Sequence, residues 1–316
     1  MNSSTTRFVL TCLLLASPVL APAQQPYAKV RKAAVEVLVD RHLNGSGCVI
    51  DSNGTVLTAA HLFPGQKEKI EVLTADRQRL SASLIARDLG HDIALLQLPA
   101  RENGYAHLEL AAQAPRPGDS LFVFGTPIYR HYVMIAGTVA RDTLAWEFVN
   151  GRYVELLYVN GAAAKGMSGG PWVNPVGRVV GVQSSLLTTG NVPQGVAFVA
   201  PLEAIRKLLA KRQDVPYATL GLAVEELWEQ PTNWLAAVPA SVEGLVVKLV
   251  QKDGLADKAA IEVNTIIRAI DDKPVQFRGD FLELVHRHQP GDTVRLALRR
   301  PNGTDIVLEF TAGMLQ

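Results

Sequence analysis

The sequence predicts a mainly β protein, a strand-rich first unit followed by a small α+β unit. Three observations carry this. Short strand-like runs separated by turn signals fill the chain from about residue 30 to 200. An amphipathic helix pattern then begins at Pro201. Beyond it, five further strand-like runs and one helix occupy the last third. With 316 residues, 48% of them apolar, the chain is long enough to bury two ordinary cores.

At the N-terminus, Arg7 precedes the short apolar run FVLTCLLLASPVL (8–20) and the small-x-small stretch Ala21-Pro22-Ala23. This pattern predicts a signal peptide over residues 1–23, too short in its apolar part to span a membrane comfortably. An uncleaved anchor is the alternative. Cys12 lies inside the run, so cleavage after Ala23 would leave Cys48 alone and no internal disulfide. An exported chain of this kind suits a bacterial periplasm.

Val35, Val37 and Val39 alternate as in a half-buried strand. Asn53-Gly54 between GCVI and TVLT signals a hairpin. Asn174-Pro175 with Gly177 separates PWV from RVVGVQ, and GVAFVA (195–200) is another strand. Regular short strands predict a barrel or sandwich rather than βαβ units. In PLEAIRKLLAKRQ, Leu202, Ile205, Leu208 and Leu209 share one helical face, with Pro201 at the first position. Residues 214–218 (DVPYA) form the predicted junction, giving units of 24–213 and 214–316. In the second, GLAVEEL, GLVVKLV, NTIIRAI, TVRLALR and DIVLEF read as strands, FLELVHRH as a helix, and Asn302-Gly303 as a hairpin turn.

The formal net charge of +1 argues against a nucleic-acid-binding protein, which would usually show a basic face. No His/Cys cluster has metal-ligand spacing, so neither metal nor cofactor is expected.

The stretch KGMSGGPW (165–172) sets Ser168 among glycines. A serine hydroxyl becomes a nucleophile only beside a base that a third group orients. His61 ends the run TVLTAAH and faces a loop with Pro64-Gly65; it is either that base or a satisfied core histidine. Asp92 abuts the apolar run IALLQL and must be hydrogen-bonded or paired; Asp88 competes for its role. Gly166 lets its own N–H and that of Ser168 converge on one spot, as an oxyanion requires. The order His, Asp, Ser within one β-rich unit is that of the chymotrypsin class.

TAAH (58–61), DIALL (92–96) and GMSGGP (166–171) resemble the three signatures of trypsin-like serine proteases, and GSGCVI (45–50) resembles the strand leading to the histidine hairpin. With the second unit, the chain resembles the HtrA/Deg family over roughly residues 30–314. That resemblance implies a chymotrypsin-like double β-barrel followed by a PDZ domain, and peptide-bond hydrolysis through an acyl-enzyme. Ser168 would be the nucleophile, His61 the base and Asp92 its orienting acid. Gly166, Met167 and Ser168 would form the oxyanion hole, and Gln183, Ser184 and Ser185 would border the substrate, with Ala162–Lys165 and Val192–Val196 as further walls. Small or medium apolar side chains would be preferred. Met167 departs from the family, which has asparagine there; digestive relatives have an aspartate paired to a new N-terminus. Methionine makes no such pair, so the oxyanion loop must be ordered from elsewhere.

Leu220-Gly221-Leu222 resembles the carboxylate-binding loop of PDZ domains, where a backbone nest holds a peptide C-terminus and the peptide adds a strand beside Gly221–Val224, against Phe281 and Val285. GLADKAAIEVNTIIRAIDDKPV (254–275) resembles the core stretch of bacterial PDZ domains, with Ala260-Ile261 and Asn264-Thr265 departing from the usual residues. The expected partners are unfolded or misfolded proteins and peptide C-termini. A homotrimer is also implied, with Tyr27 the only aromatic between the expected cleavage site and the first strand. The competing readings are a catalytically silent binding protein on the same fold, and an esterase.

Overall fold

The computed structural model describes residues 26–65 and 68–315. The expected signal peptide lies outside these residues.

A short helix α1 (Tyr27–Ala33) leads into β1 (Ala34–Val39), β2 (His42–Val49), β3 (Thr55–Ala59), β4 (Ile70–Thr74), β5 (Arg79–Ser81), β6 (Ser83–Asp88) and β7 (Ile93–Gln97). They form one antiparallel sheet in the order β5-β4-β1-β2-β3-β7-β6. The two ends of this path are separated in sequence by Ala82 alone, whose N–H donates to Ile70 O, so the sheet curls shut into a barrel. The predicted Asn53-Gly54 hairpin joins β2 to β3, with Gly54 at φ 85°.

Strand β1 departs from its prediction. Val35, Val37 and Val39 fill the first barrel, but the opposite face is buried too, and Glu36 is only 4% exposed. The second barrel packs against that face.

The second barrel comprises β8 (Ser120–Gly125), β9 (Val133–Val139), β10 (Ala145–Val149), β11 (Arg152–Gly161), β12 (Pro171–Val173), β13 (Val179–Thr189) and β14 (Val192–Pro201). Its order is β10-β11-β14-β13-β12-β8-β9, closed by a β11–β9 pairing. Helix α2 (Leu202–Lys211) follows with Pro201 as N-cap, so it begins one residue later than predicted. Its Ile205 and Leu208 join Leu57, Leu95, Phe124 and Val182 in a core shared by both barrels. Cys48 lies in this seam, where burial pushes its thiol up to about 12.

The second unit contains β15 (Ala218–Thr219), β16 (Leu222–Glu226), helix α3 (Thr232–Leu235), β17 (Leu245–Val250), helix α4 (Leu255–Lys258), β18 (Ile266–Ile270), β19 (Lys273–Pro274), helix α5 (Arg278–Val285), β20 (Thr293–Arg299), β21 (Asp305–Thr311) and β22 (Gly313–Met314). Its main sheet runs β16-β17-β18-β20-β21, which leaves β16 at an edge. Phe281, Leu282 and Val285 of α5 pack on this sheet.

The junction is no loose linker. Arg87 N–H donates to Asp214 Oδ1, Val215 N–H donates to Arg87 O, and the Tyr217 hydroxyl reaches Asp88.

Candidate active site

Strand pairing brings His61 and Asp92 together. β3 pairs with β7 in the register Ala59↔Ile93, so the residues just past Ala59 and just before Ile93 emerge side by side. His61 sits in a single 3₁₀ turn, Ala60–Leu62. Asp92 occupies the left-handed region at φ 57°, which aspartate tolerates better than most residues. Its Oδ1 accepts the His61 backbone N–H at 2.8 Å and its Oδ2 lies 2.7 Å from His61 Nδ1. The Ser184 hydroxyl donates to Oδ2 at 2.5 Å. Asp92 is 4% exposed, and these donors satisfy a carboxylate that burial would otherwise penalise.

With Nδ1–H turned to Asp92, Nε2 is the free acceptor of the His61 ring. Burial pulls the imidazole down, the charge and hydrogen bond of Asp92 pull it up, and Arg152 opposes them weakly; the net displacement is upward from the ordinary histidine value. Asp88, the competing acid, pairs instead with His91 Nδ1 at 3.0 Å.

Ser168 lies between β11 and β12. Gly166 and Gly169 have φ of 95° and 84°, and a Cβ on Gly169 would collide with Ser46 O and Thr58 Oγ1. The loop is stitched down by Gly169 N–H to Gln183 O (2.7 Å), Gly170 N–H to Met167 O (2.8 Å) and Ser46 N–H to Ser168 O (2.8 Å). The Ser168 hydroxyl donates to Ser184 O at 3.3 Å. Ser184 therefore touches both halves of the site, its hydroxyl on Asp92 and its carbonyl on Ser168. Among the described residues no hydrogen bond joins Ser168 Oγ to His61 Nε2.

Met167 corrects one expectation. Its amide donates to Ala164 O at 3.0 Å, so it has no N–H to offer an oxyanion. Its side chain is fully buried among Leu121, Val123, Trp172 and Val180. Among the described residues, the amides of Gly166 and Ser168 donate to no protein acceptor.

The expected substrate border is also revised. Gln183 is 2% exposed; its amide side chain accepts from Trp172 Nε1 and donates to Ser185 O. Ser184 is 1% exposed, with its hydroxyl on Asp92. Gln183 turns to Trp172 in the second barrel and Ser184 across the seam to Asp92, so only their backbones can meet a substrate. Ser185 is half-buried, and its Oγ has no hydrogen-bond partner among the described residues. Val192 is at the β13–β14 hairpin tip and exposed. Sequence reasoning missed Ser184 as the partner of Asp92, since a serine in the middle of a strand-like run carries no local mark of that contact.

In the second unit, Leu220 and Leu222 are buried and Gly221 has φ 70°. The Gly221 N–H donates to the Thr219 hydroxyl, and a cleft of about 500 Å³ beside this loop is lined by Arg152, Tyr153, Gly221, Leu222 and Lys258 among others. The outer edge of β16 is already engaged. Tyr153, from β11 of the first unit, donates its hydroxyl to Val224 O at 3.0 Å and accepts Val224 N–H at 2.7 Å. Its ring is buried in the second unit's core with Phe281 and Val285. Trp146 of β10 stacks on His286, with centroids 4.3 Å apart. Beside this contact His91 bridges Asp88 and Glu155, and Tyr217 lies against both His91 and His286. Tyr27 packs within its own chain, against Phe124 and with its hydroxyl on Tyr132 O.

Comparison with known proteins agrees with this architecture. Residues 45–182 match a trypsin-like peptidase domain and residues 218–310 a PDZ domain. A "Probable periplasmic serine endoprotease DegP-like" of Ectopseudomonas mendocina (strain ymp) is 28% identical over 274 residues, covering 86% of this chain and 56% of the relative. A "Serine protease HtrA-like" of Staphylococcus haemolyticus (strain JCSC1435) is 24% identical, covering 78% of this chain and 41% of the relative. The chain thus spans about half the length of these curated relatives. Among solved structures, the serine endoprotease from Yersinia pestis superposes with TM-score 0.62 at 25% identity, covering 94% of this chain and 100% of that one. The HtrA-type protease AlgW with decapeptide gives TM-score 0.64 at 19% identity, covering 94% and 99%. The chain therefore carries a trypsin-like peptidase domain followed by one PDZ domain, and over most of its length it is similar to DegP-like and HtrA-like serine proteases.

Proposed function

We propose that the chain is an exported serine endopeptidase that cleaves unfolded or misfolded proteins. The observation that carries this reading is the two-point grip of Asp92 on His61, with Ser184 linking that pair to Ser168. In this reading Ser168 Oγ attacks the scissile carbonyl while His61 Nε2 takes its proton, then returns it to the leaving amine. Asp92 holds the imidazole tautomer and stabilises the imidazolium. The N–H groups of Gly166 and Ser168 receive the oxyanion. Water then releases the acyl group by the same proton path. For that attack the Ser168 hydroxyl must turn from Ser184 O toward His61 Nε2.

The PDZ domain captures peptide C-termini at the Leu220-Gly221-Leu222 loop, and Tyr153 must leave the β16 edge before a peptide can pair there. Relatives named as periplasmic endoproteases support the same compartment here. The family resemblance alone supports a homotrimer, which sedimentation would test.

Incubating the protein with an unfolded polypeptide, beside Ser168→Ala, tests the central reading. Fragments from the wild type and none from the variant support the endopeptidase. Equal behaviour of the two would favour the silent binding protein.

A further inference from the structure

Met167 leaves open what orders the oxyanion loop, and the answer lies on the opposite side of the seam. Glu36 and Ser46 are directly paired across β1 and β2, so their side chains share one face. That face is turned toward the 126–132 loop and the Ser168 loop. Glu36, 4% exposed, accepts the Thr126 hydroxyl at 2.7 Å and His131 Nδ1–H at 2.6 Å on the same oxygen, Oε1. One buried carboxylate oxygen thus ties together both ends of a six-residue loop. Between those ends Ile128 is forced to φ 45°, ψ 48°, and Tyr129 to φ 64°. A β-branched residue does not adopt that region without constraint.

The strained residue is the one that reaches the site. Ile128 N–H donates to Lys165 O at 2.8 Å. Lys165 C=O and Gly166 N–H belong to one planar trans peptide, so holding the carbonyl on Ile128 aims the Gly166 N–H the opposite way. Ser46 fixes the next peptide. Its hydroxyl accepts Thr126 N–H at 3.1 Å and donates to Gly166 O at 2.8 Å.

We infer that Glu36 is a positioning residue for the oxyanion hole. It clamps Thr126 and His131 so that Ile128 and Ser46 orient the two peptides around Gly166. This rests on the endopeptidase reading, and it supplies the ordering that an ion pair at position 167 would give.

The test compares wild type with Glu36→Gln, which keeps the shape but replaces one acceptor, and with His131→Ala, whose ring is half-exposed and leaves the core intact. Hydrogen–deuterium exchange reads the loops directly, and cleavage of an unfolded reporter reads the chemistry. Losing an oxyanion donor outright costs about 10²–10³ in kcat, so Glu36→Gln should lower kcat about tenfold to a hundredfold, and His131→Ala less, with KM within about twofold. Exchange should rise over 126–132 and 164–169 in both variants, and not in the PDZ domain. Unchanged exchange in those two segments, or a loss expressed in KM alone, overturns the inference. If the wild type itself cleaves nothing, the endopeptidase reading fails, and the exchange data still decide whether Glu36 clamps the loops.

Discussion

The carboxylate of Asp92 holds His61 at two points, the ring Nδ1 at 2.7 Å and the backbone N–H at 2.8 Å. Position and tautomer are therefore set by one side chain. Asp92→Asn would present an amide that can donate to Nδ1, turning Nδ1 into an acceptor and placing the proton on Nε2. The expected loss in kcat is about 10⁴-fold, with the melting temperature little changed. Steady-state cleavage and calorimetry on the same preparation check this.

The same pair sets a pH limit. A base works only when neutral, and Asp92 raises the imidazole above its ordinary value. Activity should fall as pH drops through that raised value, with the acid limb above the pH expected of a free histidine. Removing the Ser184 hydroxyl by Ser184→Ala leaves Asp92 one donor short, which should lower kcat by about tenfold. A kcat/KM profile from pH 5 to 9 reads both effects.

Met167 is a core residue that happens to precede the nucleophile. Truncation to alanine would leave a void between Leu121 and Trp172, costing about 2–5 kcal/mol by the usual large-to-small rule. Met167→Asp should be worse, because it would bury a charge among the apolar side chains of Leu121, Val123, Trp172 and Val180. Denaturant unfolding of both variants checks the order.

Tyr153 competes with any peptide for Val224. Tyr153→Phe removes both hydrogen bonds to that residue while keeping the ring. A C-terminal peptide should bind this variant more tightly than wild type by about fivefold to tenfold, as expected if one or two net hydrogen bonds no longer have to be broken. Fluorescence anisotropy with a labelled peptide measures it; equal affinity would mean the peptide does not use this edge.

The domain joint should have its own pH optimum. Burial works against protonation of His91, but Asp88 and Glu155 outweigh it and raise the group to about 9. Its contribution is complete below the unfolded value of about 6.5 and is lost as pH rises to about 9. His286 behaves oppositely, since burial, helped by His91, lowers it to about 4 against the weaker pull of Glu155 and Asp88. The unfolded chain takes up that proton first, so stability falls from about pH 6.5 toward 4. Melting curves across pH 4–9 should peak near the middle, and His286→Leu should flatten the acid side.

Much of this was legible in the chain. The Asn53-Gly54 and Asn302-Gly303 turns, the strands between them and the helix after Pro201 follow from local periodicity and turn chemistry. His61, Asp92 and Ser168 stood out because polar groups beside apolar runs demand an explanation. What local reasoning missed is set by packing between distant elements. Nothing in AVEVLV marks Glu36 as buried, because the second barrel covers that face only in three dimensions. Gln183 and Ser184 read as strand surface for the same reason. Tyr153 carries no local mark of its place, a strand residue of the first unit with its ring in the core of the second.

The Tyr153 contact on β16 has a consequence beyond peptide capture. A bare sheet border invites the same border of another molecule, and proteins guard against that stickiness. Here the guard comes from the peptidase half. Residues 214–316 made alone would keep their sheet and helix but lose their cover, and would aggregate through β16 at concentrations where the whole chain stays dispersed.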